Sequence, residues 1–173
     1  MRKIRIILAD DHPLIRDAIA AHVRASGTIE VLAQASTSNE AVEAALRFQP
    51  DIVVLDIDMP GMVSFNAARR IRESCPSTLI IFLSAFTHDH YIAQAIEVNA
   101  LAYVRKEEPT ETIVRAIHLV AEGRSYYSPS VQERIIVDVK GPRLASPPET
   151  RLGSLTAREM EVLKYIATGM SKK

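Results

Sequence analysis

Short, continuously apolar runs alternate with longer amphipathic segments through the first 128 residues of this chain. The apolar runs occupy residues 4–9, 30–35, 52–55, 79–83 and 101–104. Between them, apolar residues recur at every third or fourth position, which is the period of an amphipathic helix. Strands that are apolar on both faces and alternate with helices are typical of a parallel sheet covered on both sides. The pattern therefore predicts an α/β fold in residues 1–128, with a five-stranded, doubly wound parallel sheet of the flavodoxin-like type.

The pattern changes after residue 128, and a proline- and glycine-rich stretch divides the rest of the chain. One further short helix is predicted from the spacing of Val131, Ile135, Ile136 and Val139. Residues 141–153 contain three prolines and two glycines, so we interpret residues 129–153 as a linker with a short helix in its first part. Thr156 and Glu159 then have the spacing of a helix capping box. Residues 154–173 are therefore expected to form a separate helical segment.

Composition excludes several classes of protein. The chain holds 21 basic and 21 acidic residues, and 47% of its residues are hydrophobic, as in an ordinary globular protein. Its apolar runs are too short to span a bilayer, and its N-terminus has no signal-peptide pattern. We therefore expect a cytoplasmic protein with no membrane partner. Cys75 is the single cysteine, which precludes an internal disulfide, and residues 151–173 hold five basic and two acidic side chains, a balance compatible with nucleic-acid binding.

Chemically active side chains occur where four of the predicted strands end. In chain order these residues are Asp10, Asp11, Asp56, Ser84 and Lys106. Because ligands of open parallel sheets bind at the carboxyl ends of the strands, we expect these side chains to meet at one edge. Three clustered carboxylates repel each other by roughly 3 kcal/mol per pair at about 5 Å and an effective dielectric constant near 20. A divalent cation with oxygen ligands would offset this repulsion, and Mg²⁺ is expected where phosphate also binds.

This set of residues, together with Met59 and Pro60 after the third strand, resembles the response-regulator receiver domain, of the fold called CheY-like. The resemblance covers residues 1 to about 128. Residues 155–159 read Leu-Thr-Ala-Arg-Glu, and Glu-Val-Leu and Gly-Met-Ser follow at 161–163 and 169–171. These stretches resemble the opening of a LuxR-type helix-turn-helix. In this order, the two parts resemble the NarL/FixJ class of bacterial transcriptional regulators.

The resemblance implies a role for each acidic residue. Asp56 is expected to accept a phosphoryl group from a sensor histidine kinase and to form an acyl phosphate, as a nucleophilic carboxylate. Asp10, Asp11 and Asp56 are expected to hold Mg²⁺. The backbone carbonyl of Asp58 is expected to be a further ligand of the ion. The protein is therefore interpreted as a two-component response regulator and not as an enzyme.

The resemblance also implies how phosphorylation is transmitted. Lys106 and the hydroxyl of Ser84 are expected to contact the phosphoryl oxygens, and Tyr103 to be the aromatic residue that rotates as Ser84 moves. Phosphorylation should then promote homodimerisation, through the first and last helices in preference to the face around the fourth helix and fifth strand. Promoter binding is expected of the full-length protein and not of residues 1–173, because the recognition helix of such a domain follows its first helix.

Two alternatives and two departures from the family remain. Asp56-Ile57-Asp58 resembles the nucleophile motif of haloacid-dehalogenase-type phosphatases, although that motif normally follows the first strand of its domain. A receiver that acts as an interaction module without phosphorylation is the other alternative.

The family often has Asp-Gly at Val63-Ser64 and Gly-Ala at Asn99-Ala100, so these two loops should differ in geometry.

The segment at residues 87–90, which contains two histidines, is interpreted as the exposed start of a helix capped by Asp89, and not as a metal site.

Overall fold

The apolar runs form one parallel sheet in the computed structural model, which describes residues 2–138 and 141–145. In chain order the elements of this sheet and its helices are β1 (Ile4–Ala9), α1 (Pro13–Ala25), β2 (Ile29–Ala35), α2 (Ser38–Phe48), β3 (Ile52–Asp56), α3 (Ser64–Ser74), β4 (Leu79–Ser84), α4 (Asp89–Glu97), β5 (Ala102–Arg105), α5 (Thr110–Ala121) and β6 (Tyr126–Tyr127). The strand order is β2-β1-β3-β4-β5-β6, with every neighbouring pair parallel. The predicted α/β fold class is confirmed.

The strand order places the ends of β1 and β3 side by side. From β1 the chain moves outward to β2, and it then returns to add β3 on the opposite side of β1. The order therefore reverses between β1 and β3, and in open parallel sheets this reversal leaves a crevice at the carboxyl ends of the strands. Residues that follow β1 and β3 are thus brought to one place by the topology.

Helices cover both faces of the sheet, as the continuously apolar strands predict. Ile52 and Val54 of β3 contact one buried cluster, which includes apolar residues of α1 and α5. Val53 and Leu55 contact a second cluster, which includes residues of α2, α3 and α4. All four side chains are 0% exposed. A strand buried on both faces is held firmly in register, because a slip of one residue would exchange its two faces.

The two departures from the family are accommodated locally. Asn99 has φ of 53°, in the left-handed region that glycine adopts freely and asparagine tolerates. Ser64 is buried at the start of α3, and its hydroxyl lies 3.2 Å from the hydroxyl of Ser38 in α2. Ser64 is thus accommodated between α2 and α3, and Asn99 by a backbone conformation that asparagine tolerates.

A sixth strand corrects the predicted five. Tyr126 and Tyr127 form β6 and pair in parallel with Ala102 and Tyr103 of β5. Two residues are too few to produce a periodic signal in sequence, so the pattern could not reveal this strand.

The chain beyond β6 also differs from the prediction. It forms α6 (Pro129–Gln132) and then two antiparallel strands, β7 (Ile135–Asp138) and β8 (Gly141–Leu144). The predicted helix is wrong for Ile135 and Ile136, which lie in β7, because packing on the buried cluster around Ile92 decides the conformation of this short apolar run. We call residues 129–138 and 141–145 the hairpin segment. The predicted boundaries at 128 and 153 stay predictions, and residues 146–173, with the predicted helix-turn-helix start, lie outside the described residues.

No helix among the described residues has both the length and the apolar character needed to cross a membrane.

Candidate functional site

Acidic side chains from the ends of β1 and β3 meet at the carboxyl edge of the sheet. Asp10 and Asp56 are 0% and 2% exposed, whereas Asp11 is partly buried. One ligand atom from each of these three residues and from His12 lies within 4.8 Å of the others. The structure therefore contains the predicted cluster of three carboxylates.

Lys106 supplies a positive charge to this cluster from the loop after β5. Its Nζ lies 2.8 Å from Asp10 Oδ2 and 2.6 Å from Asp56 Oδ2, and its side chain is 10% exposed. The Lys106 amide donates to the carbonyl of Ser84 at 2.9 Å, which fixes the start of the loop beside β4. A lysine ammonium is a compact charge that suits an oxygen anion. One lysine faces three carboxylates here, so the cluster keeps an excess of negative charge.

Burial changes the pKa values of the two groups in the closest ion pair. Desolvation raises the pKa of Asp56 from its ordinary 3.8 to about 6, and the charge and hydrogen bond of Lys106 oppose this rise. Burial alone would lower the pKa of Lys106, but its hydrogen bonds and charge interactions with Asp10 and Asp56 outweigh burial and raise it. At neutral pH the lysine is therefore charged, and Asp56 is a carboxylate whose charge is incompletely compensated.

Asp58 borders the cluster through its main chain. Its amide donates to Asp56 Oδ1 at 3.3 Å, while its own side chain is exposed. The Asp58 carboxylate is not among the ligand atoms that lie within 4.8 Å of one another. The expectation that the Asp58 backbone carbonyl is a metal ligand stays a prediction.

Ser84 and Tyr103, the two predicted switch residues, meet at the main chain of Phe86 in the loop between β4 and α4. The Ser84 hydroxyl accepts from the Phe86 amide at 2.9 Å and donates to the Phe86 carbonyl at 3.1 Å. The Tyr103 hydroxyl donates to the same carbonyl at 2.7 Å. Tyr103 is fully buried, and burial raises its pKa to about 12, so its hydroxyl keeps the proton that it donates.

Two residues at this edge were missed by reasoning from sequence. His12 lies with Nδ1 2.7 Å from Asp11 Oδ1, and its amide donates to Asp10 Oδ1 at 2.8 Å. Arg16, in the first turn of α1, donates from Nη1 to the Asp10 carbonyl at 2.6 Å. His12 could have been suspected because it directly follows the acidic pair. No comparable sequence signal pointed to the bond between Arg16 and the Asp10 carbonyl, because this bond depends on where α1 begins.

The donor set fits a hard divalent cation. Carboxylate oxygens of Asp10, Asp11 and Asp56 are close together, and their combined charge exceeds that of Lys106. Oxygen donors with excess negative charge are the ligands that Mg²⁺ takes, usually with water and phosphate oxygens completing its shell. The residues present therefore could hold Mg²⁺ at this edge.

Comparisons with known proteins identify the family of this chain. The family profile of the response regulator receiver domain matches residues 6–118. The transcriptional regulatory protein LiaR of Bacillus subtilis (strain 168) is 34% identical over 172 residues, which cover 98% of this chain and 79% of LiaR. The nitrate/nitrite response regulator protein NarL of Escherichia coli (strain K12) is 29% identical over 168 residues, which cover 97% of this chain and 77% of NarL. A crystal structure of a LuxR-family two-component response regulator from Aurantimonas sp. SI85-9A1 is similar, with a TM-score of 0.72 and 30% identity over 76% of this chain and 94% of that one.

A doubly wound parallel sheet with this acidic edge and lysine defines a receiver domain, and the chain belongs to the response regulator receiver family. It is a two-component response regulator of the NarL/LuxR class, as the sequence motifs predicted. The curated relatives named above are a response regulator protein and a transcriptional regulatory protein.

Proposed function

We propose that the protein is switched by phosphorylation of Asp56, with the phosphoryl group drawn from a sensor histidine kinase. The observation that carries the proposal is the buried Asp56 carboxylate, which has the Lys106 ammonium 2.6 Å away and further carboxylates beside it. An Asp56 oxygen attacks phosphorus and an O–P bond forms. The P–N bond to the donor histidine breaks, and its electron pair returns to the imidazole.

Asp10, Asp11 and Asp56 would hold Mg²⁺, with the Asp58 backbone carbonyl as a further ligand. The ion, when bound, would offset the charge of the carboxylates and of the incoming phosphoryl group. Lys106 would neutralise a phosphoryl oxygen. Its ammonium already contacts one oxygen of the Asp56 carboxylate, and the phosphoryl group would be attached to this oxygen or to the other oxygen of the same carboxylate. The Ser84 hydroxyl would bond to another phosphoryl oxygen once it leaves Phe86.

We further propose that phosphorylation promotes dimerisation through α1 and α5, and so controls promoter binding and transcription by the full-length protein in the cytoplasm. α1 and α5 lie next to each other, and Glu111 and Arg115 are exposed on α5. The alternative face around α4 contacts β8 of the hairpin segment. Glu111 and Arg115 give the α1–α5 face exposed charges of both signs, which can pair across a contact between two copies, so we favour the α1–α5 face.

Phosphorylation is tested by intact-mass spectrometry after incubation with acetyl phosphate and Mg²⁺. One phosphoryl group should be added to the wild type and none to Asp56→Asn, and chelation of the metal should prevent addition. Asp58→Asn is the matched control, because that carboxylate is exposed, and it should still be phosphorylated. Undiminished phosphorylation of Asp56→Asn would contradict the proposal. Rapid release of phosphate would favour the phosphatase alternative, and complete inertness of the wild type would favour the module that acts without phosphorylation.

The dimer face is tested by analytical ultracentrifugation with beryllofluoride and Mg²⁺, which imitate the phosphorylated carboxylate. Arg115→Glu should weaken dimerisation by about tenfold or more, since like charges facing each other in an interface are costly. Arg70→Glu makes the same charge change at an exposed position of α3, on the opposite face of the sheet, and should have no effect. Equal dimerisation of both variants and the wild type would exclude the α1–α5 face.

A further inference from the structure

The hairpin segment packs against the same side of the sheet as α4. Val131 of α6 is 0% exposed and belongs to the buried cluster that also contains Ile92 of α4 and Tyr103 of β5. Ile135 and Leu144, at the paired ends of β7 and β8, are partly buried against that cluster. The chain that leaves the receiver domain is therefore attached to the side of the molecule that carries the β4–α4 loop.

One side chain of this segment bonds directly to that loop. Nη1 of Arg134 donates to the carbonyl of Thr87 at 3.0 Å and also to the carboxylate of Asp89, the first residue of α4. The Arg134 carbonyl in turn accepts from the amide of Ala145 at 2.7 Å, at the far end of the hairpin segment. Arg134 directly precedes β7 and Ala145 directly follows β8, so Arg134 connects the two open ends of the β7–β8 hairpin to residues 87–89. The role expected for Asp89 as a helix cap is wrong, because the cap position is occupied by His88 and Asp89 pairs with arginine.

The loop that Arg134 holds begins at the proposed switch serine. Ser84 ends β4, and its hydroxyl bonds to both main-chain polar groups of Phe86. Thr87, whose carbonyl Arg134 binds, is the next residue in the chain. Tyr103 adds its hydrogen bond to the Phe86 carbonyl. Three side chains, from β4, from β5 and from the turn between α6 and β7, therefore fix the main chain of two consecutive residues.

We propose that Arg134 is a positioning residue for the phosphorylation switch, holding the β4–α4 loop in the arrangement in which the Ser84 hydroxyl bonds to Phe86. The inference rests on the proposed phosphorylation of Asp56. A Ser84 hydroxyl bonded to Phe86 must give up these bonds to reach a phosphoryl group, and movement of the loop must also break the Arg134 contact with Thr87. Arg134 opposes the phosphorylated arrangement, and the linkage is reciprocal: phosphorylation weakens the attachment of the hairpin segment.

This reciprocity gives the chain beyond the receiver domain a means of sensing phosphorylation. The guanidinium and the Asp89 carboxylate are 46% and 57% exposed, so water can replace their contact at small cost. A weak contact suits this role, because a ligand can shift an equilibrium by no more than the difference between its binding free energies for the two states.

The test is titration of the full 173-residue protein with beryllofluoride in the presence of Mg²⁺, followed by amide NMR. Arg134→Ala should bind beryllofluoride about fivefold more tightly than the wild type, a coupling at the low end of the usual range. Arg134→Lys, which keeps the charge but not the planar fork, should fall between the two. Asp89→Asn should reproduce part of the effect from the other side of the contact.

Arg124→Ala is the matched control, because Arg124 is also an exposed arginine in an ion pair but lies between α5 and β6 and bonds to Glu122. Its affinity for beryllofluoride should equal that of the wild type. In the wild type, beryllofluoride should also accelerate hydrogen exchange of the Ala145 amide, which a purely structural role of Arg134 would leave unchanged. Unaltered or weaker binding by Arg134→Ala overturns the inference alone, whereas failure of the wild type to bind beryllofluoride contradicts the proposed function itself.

Discussion

The acidic edge of the sheet and the hairpin segment are each held by a basic side chain that contacts two acceptors, and the two arrangements differ mainly in burial. Lys106 is 10% exposed and lies between carboxylates that are 0% and 2% exposed. Arg134 is 46% exposed, and its partner Asp89 is 57% exposed. Breaking a buried pair leaves an uncompensated charge without water, whereas breaking an exposed pair lets water solvate both charges.

This difference in burial suits the two regions to different roles in the proposed switch. The buried site must hold several mutually repelling carboxylates in one geometry. These carboxylates are therefore fixed at the ends of strands that are packed on both faces. The hairpin segment must be able to change its attachment, so its ion pair is exposed and weak. Four measurements test this contrast.

The largest effect is expected on removal of the buried cation. Lys106→Ala should lower the free energy of unfolding by about 3–5 kcal/mol in metal-free buffer at pH 8, because two buried carboxylates lose their counter-charge. Urea denaturation measures this loss, with Lys3→Ala at an exposed position as control. Mg²⁺ should restore part of the stability. If the free energy of unfolding fell by less than about 1 kcal/mol, the ion pairs of Lys106 would contribute no more than ordinary surface ion pairs do.

The second effect is a pH dependence that arises from Asp56. Its pKa is raised from 3.8 to about 6 in the folded protein, so the folded state holds a proton that the unfolded state has lost between these values. This contribution to stability is complete below about pH 4 and is lost as pH rises through 6, to a limit of about 3 kcal/mol.

Asp56→Asn removes this penalty, and it should therefore be more stable than the wild type at pH 7–8 without metal, with the difference vanishing near pH 4. Thermal unfolding across this pH range, with Asp51→Asn at a partly buried carboxylate elsewhere as control, measures the difference. Lower stability of Asp56→Asn at pH 8 would mean that Lys106 compensates Asp56 completely.

The third effect concerns the apolar attachment of the hairpin segment. Val131→Ala removes buried surface worth roughly 1.5 kcal/mol at about 0.8 kcal/mol per methylene. Hydrogen exchange in β7 and β8 should become about tenfold faster, while amides of β3 should change less, because the segment can open without the sheet. Val63→Ala is the control, since Val63 is 59% exposed. Equal acceleration in β3 would show that the hairpin segment unfolds only together with the receiver domain.

The acidic edge could be predicted from the sequence, whereas the hairpin segment could not. The acids could be placed because each follows a strand whose apolar run is visible in sequence, and parallel strands end at one edge of the sheet. The sharing of Lys106 between Asp10 and Asp56 follows from the same placement. The role of Phe86 could not be predicted, because it acts through its main chain, which any residue would supply.

The hairpin segment was beyond prediction for a different reason. The apolar positions at 135 and 136 fit both a helix and a strand, and a run this short does not distinguish them by period. The choice between them is made by packing on the cluster around Ile92, which is distant in sequence. Arg134 is an ordinary surface arginine until that packing brings it to Asp89.

The smallest effect is expected from the exposed ion pair itself. A double-mutant cycle with Arg134→Ala and Asp89→Ala should give a coupling energy of about 0.5 kcal/mol in unfolding experiments at low salt, and less at high salt, because exposed pairs are weak and screened. Such a value is too small to matter for stability. Arg134→Ala also removes the hydrogen bond to the Thr87 carbonyl, and the two contacts together can supply the roughly 1 kcal/mol that a fivefold change in beryllofluoride affinity requires. A coupling above about 2 kcal/mol would mean that Arg134 is a structural clamp of the kind that Lys106 forms, and the hairpin segment would then be too firmly attached to respond to phosphorylation.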